Sequence, residues 1–553
     1  MTSSMPPEGS QPEYLEQGGG APLVREQGSG GGGGRRKAVL VGVGVLALAA
    51  VGGGVWAATS FLGTGAQPTE ALPASTLGYA SIDLDPSGGQ KIEAIRMLNK
   101  FPAFKDELGL ATDDDVKRKI FEEGEVSAAC DGLDYARDIE PWLGDRAAVA
   151  AVDLGKEQPV PVAVLQVNDA DAAADGLAKV RECAGGDVGG WTMTGEWAVV
   201  AKSEALAEEV AGETDKATLA DDETYQKWTD EVGDAGVLNL YASPAAGDYL
   251  ADNMDTLGFP FGMAAGAGGS TDGQSQVIPE HSAGPQLPDA MLEDLRNFQG
   301  VAATLRFDDG ALELESVGDA DAMRQSMFAT DAGDDVLASL PADTAAAIGV
   351  GLQDGWAQSL LDQIGGVLGS GETPDQMVAQ AEKWTGLALP EDLETLFGDS
   401  TVIAIGNDFD PKAFANSPDG SDVPVGIKVK GDADAIEGVL DKVRNRIGEP
   451  MSGPLRSQSE GDVVAIGPND DYLTEILGDG GLGDSEAFRN VVREAEQAGA
   501  IVFVNFDAGG DWLSALAEGD PEAKENLEPL EGLGISSWQD GDTGHGMVRL
   551  TTD

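Results

Sequence analysis

The sequence repeats itself, and that constrains the fold more than any other feature. LPASTLGYASID (72–83) returns as LPADTAAAIGVG (340–351), and DIEPWLGDRAAVAAV (138–152) as EDLETLFGDSTVIAI (391–405). PVAVLQVNDADAAADGLAKVRE (161–182) aligns with PVGIKVKGDADAIEGVLDKVRN (424–445), and 221–241 aligns with 483–505. The order of the blocks is the same in both halves. A duplication of this kind implies two copies of one structural unit, at 72–320 and 335–553.

Each copy reads as mixed α+β. Alternating or short apolar runs predict strands at 146–153, 160–167, 196–201, 236–242, 299–307 and 311–317. Their counterparts fall at 400–406, 424–430, 462–467, 500–506, 532–538 and 546–551. Helical periodicity marks 88–108, 170–183 and 221–233, matched by 355–368, 432–447 and 484–496. The runs flanking Asp308-Asp309-Gly310 read as an antiparallel hairpin. The expected fold is α+β: two tandem copies of an antiparallel sheet with helices on one face, preceded by one transmembrane helix and a disordered tail. The symmetry breaks at 255–297, an insert without counterpart. There Phe259, Phe261 and Met263 are candidates for an apolar lip, or else dock on the nearby sheet.

The membrane expectation rests on residues 38–62, which carry no charge. As a helix rising ~1.5 Å per residue they reach roughly 37 Å, enough to span the hydrocarbon core. Arg35, Arg36 and Lys37 precede the run, which places residues 1–37 on the cytoplasmic side and 63–71 as an outer linker. Trp56 lies toward the outer end, where aromatic rings favour the interface. The tail is rich in Pro and Gly and lacks the apolar surface to fold. A cleaved leader ending near Thr64-Gly65-Ala66 is the competing reading. The predicted location is a cell membrane, crossed once, with the duplicated part outside. The chain as a whole carries a formal charge of −63. Such an acidic surface excludes broad phosphate contact, so no nucleic-acid partner is expected.

Few residues suggest chemistry. Cys130 and Cys183 are the only cysteines, and in an oxidising compartment they form a candidate disulfide. His281 and His545 are the only histidines, both in predicted loops without a nucleophile's context. GDGGLG (478–483) follows a helix rather than a strand, so it reads as a turn and not a dinucleotide site. The Asp pairs 169/171 and 432/434 stand where strands give way to helices, where Asp caps free N–H groups. No catalytic residue, metal ligand or cofactor is expected from these patterns.

The tail ending in Arg35-Arg36-Lys37, the uncharged run, LPASTLGYASIDLDPSGGQKIEAIRMLNKFP (72–102) and PWLGDRAAVA (141–150) together resemble a known family. It comprises single-pass membrane proteins of high-GC Gram-positive (actinobacterial) bacteria whose outer domain has no known function. The resemblance implies membrane anchoring and supplies no catalytic residues. The resulting expectation is an extracytoplasmic binding or scaffold protein of the cell envelope. Its partners would be the lipid bilayer, through one helix, and an envelope protein or apolar ligand. The alternatives are a carrier or sensor of an apolar ligand such as lipid, and a hydrolase working through carboxylates.

Overall fold

A computed structural model describes residues 66–553, apart from 84–88, 104–115, 124–131, 184–188, 234–235, 258–288, 321–327, 330, 368–373, 408, 411–416, 418–419, 449–451, 510–511 and 513–519. The first copy supplies β1 (Thr76–Asp83), β2 (Leu143–Val152), β3 (Val160–Val167), β4 (Gly190–Thr194), β5 (Trp197–Ala201), β6 (Leu238–Ala242), β7 (Val301–Asp308) and β8 (Ala311–Asp319). The second supplies β9 (Ala346–Gly351), β10 (Ser400–Ile405), β11 (Val425–Lys430), β12 (Arg456–Glu460), β13 (Val463–Gly467), β14 (Ala498–Asn505), β15 (Leu530–Asp540) and β16 (Thr543–Thr552).

These strands form one continuous sheet of 16, not two separate sheets. This corrects the expected fold. From the centre outward the first half runs β8-β7-β6-β1-β2-β3-β5-β4, and the second runs β16-β15-β14-β9-β10-β11-β13-β12. The order is the same in both, so the halves are related by an approximate two-fold axis between β8 and β16. Those two strands pair antiparallel, from Leu312↔Leu550 to Asp319↔Thr543. The physical reason lies in edges. A lone copy would expose β8, a nine-residue strand, with a row of unpaired N–H and C=O groups. Joining the copies removes both long edges and leaves only β4 and β12, of five residues each, at the outside.

Helices cover both faces, which corrects the one-face expectation. On one face, Val162, Val164, Val199 and Val210 of the first copy share a core with Trp228. On the other, Leu177 of the helix Ala170–Cys183 packs with Trp142, Val167 and Ala198. Every residue of β5, Trp197–Ala201, is buried, and a strand covered on both faces shows an apolar run instead of alternation. The second copy repeats the arrangement, with Val402, Ala465 and Ile476 on one face and Val429, Ile436 and Val464 on the other.

The predicted hairpin forms between β7 and β8, with Asp308 opposite Ala311. Its two-residue turn, Asp309-Gly310, has φ of 49° and 77°. Positive φ at both positions matches the right-handed strand twist and is the conformation that Asp-Gly favours. Among the described residues no helix is long and apolar enough to cross a membrane. Residues 38–62, with Arg35, Arg36, Lys37 and Trp56 of the membrane reading, lie outside them.

The seam between the copies carries a buried ion network. Arg549 on β16 and Glu313 on β8 are 2% and 3% exposed and directly opposite. The Arg549 guanidinium also donates to the Asp308 carbonyl (2.9 Å) and the Asn490 carbonyl (2.8 Å). Glu313 holds Arg306 as well, at 2.5 Å. Across the two-fold axis the corresponding positions are Val317 and His545, also opposite one another. There the His545 ring lies parallel on Trp538 with centroids 5.0 Å apart. The same pair of positions is thus ionic on one side of the axis and apolar-aromatic on the other.

Candidate functional site

The duplication gives each side chain an internal control, the residue at the same place in the other copy. Val164 of β3 lies opposite Ala148 on β2 and Val199 on β5, and is fully buried. In the second copy the equivalent residue lies opposite Val402 on β10 and Ala465 on β13. That residue is Lys428, 2% exposed. A lysine stands where the fold demonstrably accepts a valine.

Its partner changes with it. Ala71, directly before Leu72-Pro73, belongs to the core that contains Val164. At the same place, directly before Leu340-Pro341, stands Ser339. Lys428 Nζ donates to Ser339 Oγ at 2.6 Å, and the hydroxyl donates onward to the Val336 carbonyl at 3.0 Å. This is the one hydrogen-bond partner of Lys428 among the described residues, which leaves two ammonium hydrogens unused. No carboxylate there lies within ion-pair distance of it. Burial pushes the Lys428 amine below its ordinary pKa, and the charge of Asp479 acts in the opposite direction.

A cavity of about 210 Å³ opens beside Lys428. Its wall carries Lys430 and the carboxylates of Asp335, Glu460, Asp462 and Asp479. Lys430 is satisfied by Asp335 at 2.6 Å, and that hydrogen bond raises its pKa. The other three carboxylates make no ion pair among the described residues.

A shortened helix makes room for the cavity. In the first copy the helix Glu204–Thr214 has eleven residues, and its last, Thr214, is buried with its hydroxyl 3.4 Å from the Ala71 carbonyl. The equivalent helix, Asp470–Leu477, has eight, close to one turn less. It starts from an Asn469 cap that accepts from the Asp471 and Tyr472 N–H groups. It ends at Gly478, and the chain is then pinned to the Ser339-Leu340 turn by Gly480 N–H to the Ser339 carbonyl and Leu482 N–H to the Leu340 carbonyl. The second bond repeats Leu219 N–H to Leu72 in the first copy. At Gly480 a Cβ would stand 2.4 Å from the Pro341 Cα, so this close approach needs glycine. The turn read as GDGGLG is therefore a turn, and it delivers Asp479 to the cavity.

Features shared by both copies contrast with this difference. Asp138 accepts from Lys179 at 2.7 Å in the first copy, and Asp392 accepts from Lys442 at 2.7 Å in the second. Each also takes a backbone N–H four residues before it. Asp169 and Asp432 both cap helices, accepting from Ala172 and Ala435 N–H at 2.9 and 3.0 Å.

The remaining sequence candidates do not converge on the cavity. Cys183 is disulfide-bonded, while Cys130 lies outside the described residues. Phe259, Phe261, Met263 and His281 also lie outside them. His545 sits at the seam. Sequence reading missed Lys428 because the aligned blocks pair it with Leu165. The helix caps Asp169 and Asp432 follow that alignment, but the strands are offset from it by one residue. In a strand one residue exchanges the faces, so the half-buried Leu165 concealed the fully buried Val164.

One comparison with known proteins gives a result. A family described as a protein of unknown function (DUF3352) matches residues 39–190 and again 192–408. The chain belongs to this family. Its two matched segments meet inside β4 and do not coincide with the two copies, so the family pattern crosses the boundary between them. No curated protein and no solved structure matches the chain.

Proposed function

We propose that the chain is an extracytoplasmic binding protein of the cell envelope, and that its second copy presents the binding site. One observation carries the reading: a buried lysine that makes no ion pair among the described residues lines a cavity at a position where the sister copy has buried valine and alanine. Burying such a group is costly unless something compensates it, and the first copy shows that the fold does not require it. The uncharged stretch 38–62 behind Arg35, Arg36 and Lys37 supports a membrane-held chain, as in the family it resembles. Native mass spectrometry of the full chain, before and after Lys428→Met, tests the binding role. The expected result is a non-covalent small molecule on the wild type that the variant lacks. The same adduct on both, or none on either, overturns it.

A second reading, a carrier of an apolar ligand, has a different support. On the opposite face of the second copy, Ile403 pairs with Ile348, and Val502 links Ile348 to Ile535. The three isoleucines are 44%, 49% and 36% exposed in an unbroken row. Extraction of lipid from the purified full chain, reduced by Ile348→Ser, is its expected signature.

A further inference from the structure

Resting on the cavity as a binding site, we infer that its ligand is a small zwitterion, with one carboxylate seated on Lys428 and one ammonium facing the acidic wall. Lys428 brings a single positive charge to the cavity and two donor hydrogens without a partner among the described residues. A carboxylate supplies one negative charge and acceptor oxygens to match. Ser339 is a positioning residue, because its hydroxyl accepts from Lys428 and its hydrogen is taken by the Val336 carbonyl.

The wall selects against other anions. Asp335 is paired with Lys430, whereas Glu460, Asp462 and Asp479 make no ion pair among the described residues. A phosphate, carrying more than one negative charge, meets one ammonium and three carboxylates in a chain of net charge −63. A simple carboxylate such as acetate satisfies Lys428 and leaves the wall uncompensated. A molecule bearing both charges answers both ends. Size limits it further. Pockets for drug-sized ligands hold about 300–1,000 Å³, and this one holds about 210 Å³. An amino acid or a compound of similar size fits.

The test uses the full chain, isothermal titration and ligand-observed NMR. The probes are glycine, β-alanine and γ-aminobutyrate, with acetate, methylammonium and inorganic phosphate as single-function controls. At least one zwitterion is expected to bind tenfold or more tightly than every control. Lys428→Met is expected to abolish that binding, and Asp479→Asn to weaken it several-fold. Thermal melts show that both variants are folded, and Lys428→Met is expected to melt no lower than the wild type. Acetate or phosphate binding as well as the best zwitterion overturns the ligand class and leaves the binding role standing. Zwitterion binding that survives Lys428→Met overturns the site. No binding of any probe overturns the inference, while the native-mass experiment separately decides whether the chain binds anything at all.

Discussion

Val164 and Lys428 occupy one position in two copies of the same fold, with opposite surroundings. Around Val164, Ala71 fills the floor and the last turn of the helix Glu204–Thr214 closes the roof. Around Lys428, Ser339 replaces the alanine and the helix stops one turn earlier. Three changes therefore act together: a charge, a hydroxyl to orient it, and space above both. The Asp138–Lys179 and Asp392–Lys442 pairs behave differently, since they recur with the same backbone bonds. The shared pairs are thus features of the common fold, whereas the charge, hydroxyl and space around Lys428 have no counterpart in the first copy.

The largest predicted effect breaks the comparison by forcing the lysine into the closed copy. Val164→Lys buries a charge with neither hydroxyl nor space, and is expected to cost about 4 kcal/mol in urea unfolding. A cost below about 1 kcal/mol would mean that the first copy also has room, and that the shortened helix explains nothing.

The seam offers the next test. Arg549→Met leaves Glu313 buried with Arg306 alone, and should cost about 3 kcal/mol. Across the axis, His545→Ala removes only the stack on Trp538 and should cost about 1 kcal/mol. Equal losses would show that the two sides of the axis contribute alike despite their different chemistry.

A smaller effect has the opposite sign. Lys428→Met should stabilise the chain by about 1 kcal/mol at neutral pH, because it removes a buried charge that has no ion pair among the described residues. The pH dependence follows from the lowered amine pKa. Between the folded value and the unfolded value of about 10.4, the unfolded chain binds more protons, so wild-type stability rises with pH. The advantage of the variant should therefore shrink as pH rises through that window. A constant advantage from pH 7 to 10 would show that Lys428 is not strained by burial.

The smallest effect concerns the shared pairs, whose lysines are about half exposed. Asp392→Asn should cost no more than about 1 kcal/mol. Hydrogen bonds from Arg137 and Lys179 hold Asp138 well below the usual carboxylate range. Burial raises Asp392, but Lys442 and the Ala388 N–H outweigh it and leave a net lowering. Their contributions are present above an unfolded pKa of about 3.9 and are lost as pH falls through the folded values. Acid titrations of Asp138→Asn and Asp392→Asn should show the larger change for Asp138. The reverse order would contradict the stronger hold on that residue.

Much of the fold could be read from pattern. The Asp-Gly turn between β7 and β8, the caps at Asp169 and Asp432, and the strand composition of β3 and β11 are local, and short-range chemistry determines them. Two things were not local. Burial of β5 on both faces depends on how the flanking helices Ala170–Cys183 and Glu204–Thr214 pack onto opposite sides of the sheet, so WAVVA alone did not reveal helices on both sides. The strand offset at Lys428 depends on pairing with β10 and β13, and a one-residue error moved the lysine from the core to a half-buried face.

The sequence by itself determined that one unit occurs twice, because repeated blocks in repeated order require it, and it determined that the chain is strongly acidic. Only the tertiary structure decided that the two units share a single sheet and that Lys428 lies in a cavity. Both depend on which backbone edges meet and where a helix ends relative to a distant strand. Such choices are made by hydrogen-bond pairing and steric closure between segments far apart in the chain, 89 residues for Lys428 and Ser339 and 236 for Arg549 and Glu313.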